Sequence, residues 1–134
     1  MILVDTSVWI GYLRGDRSPV TDALDRLMAD EVPFGITGII FQEILQGADS
    51  AESQQRLRSY FSTQRFLHPL DPVETHAQAA DLYARCRRAG LTIRSTIDCL
   101  IARIAIEHKA ALLHADRDYL HMARVIPALQ LVEA

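Results

Sequence analysis

Residues 96–106 constrain this chain more than any other stretch. From Ile97 to Ile106, eight of ten residues are apolar. They cover all sides of a helix rather than one stripe, which is the pattern of a helix buried on every face. Only Asp98 and Arg103 interrupt it. At about 100° per residue these two point to different sides and are poorly placed to neutralise each other. A carboxylate on a buried helix is costly unless something compensates it. Capping is one compensation: Ser95 and Asp98 have loose capping-box spacing, and a first-turn acid meets free N–H groups and the positive dipole end. A cation shared with acids elsewhere in the chain is the other.

The rest of the chain alternates short apolar runs with amphipathic stretches. Strands are expected at 2–4, 33–36, 66–70 and 111–114, with a last edge strand at 129–132. Helices are expected between them. Thr6 or Ser7 opens a short one that Gly15 ends, and Ser18-Pro19 opens the next. Thr37 starts a helix that runs through Gln46. Ser50 or Ser53 starts another, and Asp71-Pro72-Val73-Glu74 a fifth. Residues 117 to about 123 form the last, with Asp116 as cap. Strands separated by helices imply a mostly parallel sheet covered on both faces, a three-layer α/β/α sandwich. At 134 residues, residues 1–134 are expected to form a single domain.

Open parallel sheets build their sites outside the carboxyl ends of the strands. Asp5 ends the first strand and Asp116 follows the fourth. Asp98 begins the helix that feeds the fourth, and Glu43 lies in the helix after the second, where its longer arm reaches back. Asp118 follows two residues after Asp116. Each has a plain explanation as a helix cap, a first-turn acid or a solvated side chain. Capping does not explain why several would converge, because gathered carboxylates repel and raise one another's pKa. A hard divalent cation such as Mg²⁺ or Mn²⁺ removes that cost and prefers oxygen ligands. An all-carboxylate site without His or Cys suits metal-assisted phosphoryl chemistry, with Thr6 or Ser7 at hand for a water or phosphate oxygen. The five histidines show no metal-binding pairing; His114, the nearest to the site, reads as structural.

Composition narrows the classes. No apolar run is long enough to span a bilayer, and the first residues lack the basic region of a signal peptide, so a cytoplasmic protein without membrane contact is expected. Cys86 and Cys99 read as reduced, buried thiols. Net charge is −3, so no global basic field advertises nucleic acid. Yet 13 of 14 basic residues are Arg, which leaves local phosphate-binding patches open. Arg14, Arg17, Arg94 and Arg117 are the candidates to hold a phosphate beside an acidic site.

The opening Met1-Ile2-Leu3-Val4-Asp5-Thr6-Ser7-Val8-Trp9-Ile10 resembles that of PIN-domain proteins, and more closely that of the VapC-type ribonuclease toxins of prokaryotic toxin–antitoxin pairs. Three further stretches agree in order and spacing: Ile39 to Gly47 around Glu43, Arg94 to Ala102 around Asp98, and Leu112 to Tyr119 around Asp116. The resemblance implies a PIN-like fold and a metal-dependent endoribonuclease. It implies that Asp5, Glu43, Asp98 and Asp116 bind Mg²⁺ or Mn²⁺ and are the catalytic residues, with Asp118 and Thr6 auxiliary. It also implies a homodimer and a cognate VapB-like antitoxin that sets a basic side chain in the acidic pocket. The chain departs from the family in His114-Ala115, where a Thr or Asn often precedes the fourth acid. It departs again in Tyr119, which replaces a common Phe and is expected to pack its ring while its hydroxyl meets water. A non-catalytic PIN-like module that binds RNA or protein is the alternative, though it would be expected to lose a core acid. An aspartyl-phosphate phosphatase or receiver domain fits less well, because it needs a Lys near the phosphate and Lys109 lies beyond the buried helix.

Overall fold

A computed structural model describes residues 1–134. The apolar runs become strands β1 (Ile2–Val4), β2 (Phe34–Ile36), β3 (Arg65–Phe66) and β4 (Ala111–Leu113). They form one sheet in the order β3-β2-β1-β4, parallel throughout. Ile2 pairs with Phe34 on one side and Ala111 on the other, and Val4 pairs with Leu113. Leu3, Val4, Ile36, Leu112 and Leu113 are fully buried, as strands covered on both faces must be.

Seven helices cover the sheet: α1 (Thr6–Arg14), α2 (Pro19–Ala29), α3 (Gly38–Gln46), α4 (Ala51–Phe61), α5 (Pro72–Arg88), α6 (Thr96–Glu107) and α7 (Arg117–Val125). From β1 the chain steps to β2 and β3, then crosses back beyond β1 to β4. Right-handed crossovers running in opposite directions put their helices on opposite faces. The packing divides accordingly: α1 touches α2 and α3, and α3 touches α4, while α5, α6 and α7 pack on one another. This is the expected α/β/α sandwich. No helix is long and apolar enough to cross a membrane.

The punctuation read from the sequence operates as caps. Ser18 and Thr21 form a reciprocal capping box with Pro19 at the first helical position. Thr37 accepts from the Ile40 N–H, and Ser50, rather than Ser53, caps α4. Gly15 closes α1 at φ 79°, in the left-handed region that glycine tolerates. Trp9 anchors the α1 side of the core, edge-on to Phe61 at 4.9 Å and to Tyr12 at 5.8 Å.

Two strands are shorter than expected. β3 keeps one more ladder bond, from the Leu67 N–H to Ile36 O at 2.8 Å. Beyond it, side chains near the end of α6 take over: the His108 ring bonds His68 O and Glu107 accepts from the Leu70 N–H. The expected strand over 129–132 reduces to one parallel bridge, Leu112 with Leu131, beside β4. Its two bonds, Leu112 N–H to Gln130 O and Val132 N–H to Leu112 O, are each 2.9 Å. The turn after Pro127 leaves too little extended chain for more.

Gly35 marks the closest approach in the sheet. A Cβ there would stand 2.7 Å from Arg65 O, a backbone atom of the neighbouring strand. Gly35→Ala should therefore cost about 1–3 kcal/mol through overpacking. The measurement is urea unfolding, with the midpoint lowered and the slope unchanged; an unmoved midpoint would show that β3 yields freely.

Candidate metal centre

Because β2 lies on one side of β1 and β4 on the other, the chain direction switches at β1. The crevice beyond the carboxyl ends of β1 and β4 is where such sheets place their sites. Asp5 directly follows β1, and its N–H bonds Leu113 O at 2.9 Å, so the two strand ends stay in step. Asp116 follows β4 and caps α7 by accepting from the Asp118 N–H at 2.9 Å. Asp98 stands in the first turn of α6.

Asp5 does cap α1. Its Oδ2 accepts from the Ser7 N–H at 3.1 Å and from the Ser7 hydroxyl at 2.5 Å. The Ser7 oxygen in turn accepts from the Ala115 N–H at 3.0 Å, tying the start of α1 to the β4–α7 loop. The Thr6 hydroxyl donates to Glu43 Oε1 at 2.7 Å and so brings the α3 acid to the end of β1. Asp98 behaves differently. Ser95 makes no side-chain cap bond, so the expected capping box does not form. Asp98 instead accepts from the Tyr119 hydroxyl at 3.3 Å.

Asp98, Asp116 and Asp118 each present an oxygen within 4.8 Å of the other two. Opposite ligands of an octahedral Mg²⁺ stand about 4.2 Å apart, so small side-chain adjustments would close these three around one ion. The donor set, all carboxylate oxygen, fits a hard cation. Asp118, placed by sequence as an auxiliary acid, is a full member of this group. It is buried, and its Oδ2 accepts from the Arg94 N–H at 3.2 Å and from Arg94 Nε at 3.4 Å. Asp5 and Glu43 lie outside the tightest group; Tyr119 links Asp5 to Asp98, and Glu43 bonds Thr6, the residue next to Asp5.

The electrostatics follow from the crowding. Burial, then the charges of Asp116 and Asp5, push the Asp98 carboxyl from an ordinary 3.8 to about 7, against a smaller lowering by the Tyr119 bond. Burial holds His114 below its ordinary value. His114 Nδ1 accepts from the Asp116 N–H at 3.1 Å, which leaves the ring proton on Nε2 and gives His114 a structural part. Burial beside Asp5 and Asp98 raises Tyr119 far above the phenol range, so its hydroxyl stays protonated. Nothing in the residue order signals this partnership: the Tyr119 hydroxyl meets two carboxylates, at 3.1 and 3.3 Å, in place of the expected water.

Of the four arginines, Arg94 belongs to the site. Its guanidinium lies 3.7 Å from Asp116 Oδ1 and 3.4 Å from Asp118 Oδ2. Arg17 pairs with Asp22 at the surface, and Arg14 and Arg117 are exposed. Arg14 and Glu43 also line a groove of about 810 Å³ between α1, α3 and α4, whose apolar wall includes Ile10, Leu13, Leu57 and Tyr60. Lys109 lies past the end of α6, about 16 Å along the helix axis from Asp98. That distance removes the lysine an aspartyl-phosphate site would need.

The family pattern of the PIN domain matches residues 2–125. The chain is similar to the VapC ribonuclease Mb1587 of Mycobacterium bovis, 37% identical over 126 residues that make up 93% of each chain. It is similar to the same extent to ribonuclease VapC11 of Mycobacterium tuberculosis. Among solved structures, VapBC2 from Rickettsia felis bound to a promoter DNA fragment superposes with a TM-score of 0.74 at 22% identity, covering 98% of both chains. FitAcB from Neisseria gonorrhoeae gives 0.72 at 21% identity, covering 99% of this chain and 97% of that one. These two likenesses bear on the fold.

A carboxyl raised to about 7 leaves the metal-free native state holding a proton that the unfolded chain releases nearer 3.8. For this group stability is therefore present at low pH and lost as pH rises through about 7. Asp98→Asn should melt higher than the metal-free parent at about pH 8, with the gap closing on acidification. Thermal melts of both proteins across that range test it, and His114 contributes equally to each. A gap that does not vary with pH would refute the raised Asp98.

Proposed function

The chain belongs to the PIN-domain family, and on that premise we propose that it is a VapC-type ribonuclease, the toxin of a toxin–antitoxin pair. In this reading it hydrolyses RNA phosphodiester bonds with Mg²⁺ or Mn²⁺ held by carboxylates. The observation that carries the reading is the gathering of acids at one sheet edge, where Asp98, Asp116 and Asp118 each present an oxygen within 4.8 Å of the others. Such crowding is unfavourable in a protein with no cation to receive.

Asp5, Glu43, Asp98 and Asp116 would hold the metal and be the catalytic residues, joined by Asp118, which the geometry sets beside Asp98 and Asp116, with Thr6 as auxiliary. A bound cation supplies Lewis acidity for an in-line displacement at phosphorus. The chain's own residues set the stage for it. Ser7 fixes Asp5 through its hydroxyl and its N–H, Thr6 orients Glu43, and the α7 cap fixes Asp116. Arg94, with 67% of its side chain exposed, would hold a phosphate beside the acids. Arg14, Arg17 and Arg117 would steer the RNA from farther out. A non-catalytic binding module has no use for this concentration of carboxylates.

The mycobacterial relatives are named as VapC ribonucleases, and the Rickettsia neighbour is described as a VapBC pair. We extend this to an antitoxin partner for the present chain. The apolar groove beside Glu43 offers such a partner a surface, and the acids would attract a basic side chain from it. A cytoplasmic homodimer of single-domain chains completes the reading, with Leu70 and Val73 as apolar surface at the start of α5.

The purified protein should cut a structured RNA only when Mg²⁺ or Mn²⁺ is present. Asp5→Asn and Asp98→Asn should each lower the rate by at least about 100-fold, the scale on which even the partners of metal ligands act. Induced expression should arrest growth for the parent and not for either variant. Cleavage that persists in excess chelator, or survives either substitution, would reject the site.

A further inference from the structure

Tyr119 does something at this edge that packing does not require. Its side chain is fully buried. Its hydroxyl stands 3.1 Å from Asp5 Oδ1 and 3.3 Å from Asp98 Oδ1. One oxygen atom thus joins the end of β1, the first turn of α6 and the second residue pair of α7. The ring alone accounts for the packing: it lies edge-on to His114 with centroids 5.1 Å apart, and a phenylalanine would fill the same space. The hydroxyl needs another explanation, because burying it is unfavourable unless it is bonded.

The two carboxylates it touches differ in how they are held. Asp5 is fixed from two directions, by Ser7 on Oδ2 and by Tyr119 on Oδ1. Asp98 has Tyr119 as its hydrogen-bond donor and gains no hold from Ser95. Without that donor, Asp98 would be free to rotate away from like charges on Asp116, Asp5 and Asp118. A phenol has a single proton to give, so it bonds one of the two acids at any moment and keeps the other close by. Each carboxylate keeps further lone pairs for a cation.

Resting on the metal-site reading above, we propose that Tyr119 is a positioning residue. Its hydroxyl sets the spacing and orientation of Asp5 and Asp98, so that two ligands from distant parts of the chain are presented to one divalent cation. It acts through these acids and touches neither RNA nor the reacting phosphorus. Metal affinity, rather than RNA affinity, should therefore register its loss.

Tyr119→Phe separates the hydroxyl from the ring. Manganese titrations of the metal-free proteins, followed by the electron paramagnetic resonance of free Mn²⁺, should show binding weakened about tenfold in the variant. At saturating Mn²⁺ the KM for RNA should be unchanged and kcat should return toward the parent value. A merely structural hydroxyl would lower the melting temperature and leave Mn²⁺ affinity within about twofold of the parent, an outcome that overturns the inference. Tighter binding in the variant would overturn it too, by showing that the hydroxyl competes with the cation. If the parent itself binds no Mn²⁺, the metal-site reading fails and this inference fails with it. If the parent binds and the variant matches it, the inference about Tyr119 fails alone.

Discussion

The parallel pairing of β1 with β4 is the constraint on which the rest of the molecule depends. It sets Val4 beside Leu113 and so fixes where two strands end together. Just past those ends the backbone must turn into helices α1 and α7, whose first N–H groups need acceptors. Asp5 and Asp116 supply them. A cap and a metal ligand are commonly treated as rival explanations of an aspartate. Here the cap is what immobilises a carboxylate while leaving it lone pairs for another partner. One side chain can serve both roles because caps are short, rigid and close to the sheet.

Opposed to this order is the repulsion among the acids. The protein meets it piecemeal. The Ser7 hydroxyl and N–H serve Asp5, Arg94 serves Asp118, and Tyr119 stands between Asp5 and Asp98. Asp98 is left with Tyr119 as its donor, and burial first, then the charges of Asp116 and Asp5, raise its pKa. The apolar surroundings of α6, with Cys99, Ile101 and Ala102 buried around that turn, deepen it by excluding water. Arg103 gives no relief, since it pairs with Glu107 at 3.6 Å on another side of the helix.

Much of this was legible in the residues. Apolar runs of three or four between capped helices gave the parallel sheet, and Ser18-Pro19 and Asp71-Pro72 gave the helix starts they become. Acids at strand ends gave the edge at which the site lies. What was not legible depends on distance. Strand length at β3 is decided by His108 and Glu107, whose bonds to the 68–70 loop span 40 and 37 residues. The capping box suggested by Ser95 was outcompeted by a tertiary bond to Asp98. Asp118 is two residues past the better cap, and what engages its carboxylate is Arg94, 24 residues away. Tyr119 looked like a ring with a spare hydroxyl because residue type alone does not reveal which acids face it.

The tie between Tyr119 and Asp5 spans 114 residues, and that between Ala115 and Ser7 spans 108. A ribosome delivers this chain from its amino end, and the first acid emerges long before the partners that complete its surroundings. Local contacts form early, whereas closure between such distant segments waits for nearly the whole domain. Nascent forms of 43 to 115 residues carry Asp5 and Glu43 without Asp116, Asp118 or Tyr119. The acidic edge beyond β1 and β4 is thus among the last parts of the domain to be completed, when the final helix docks.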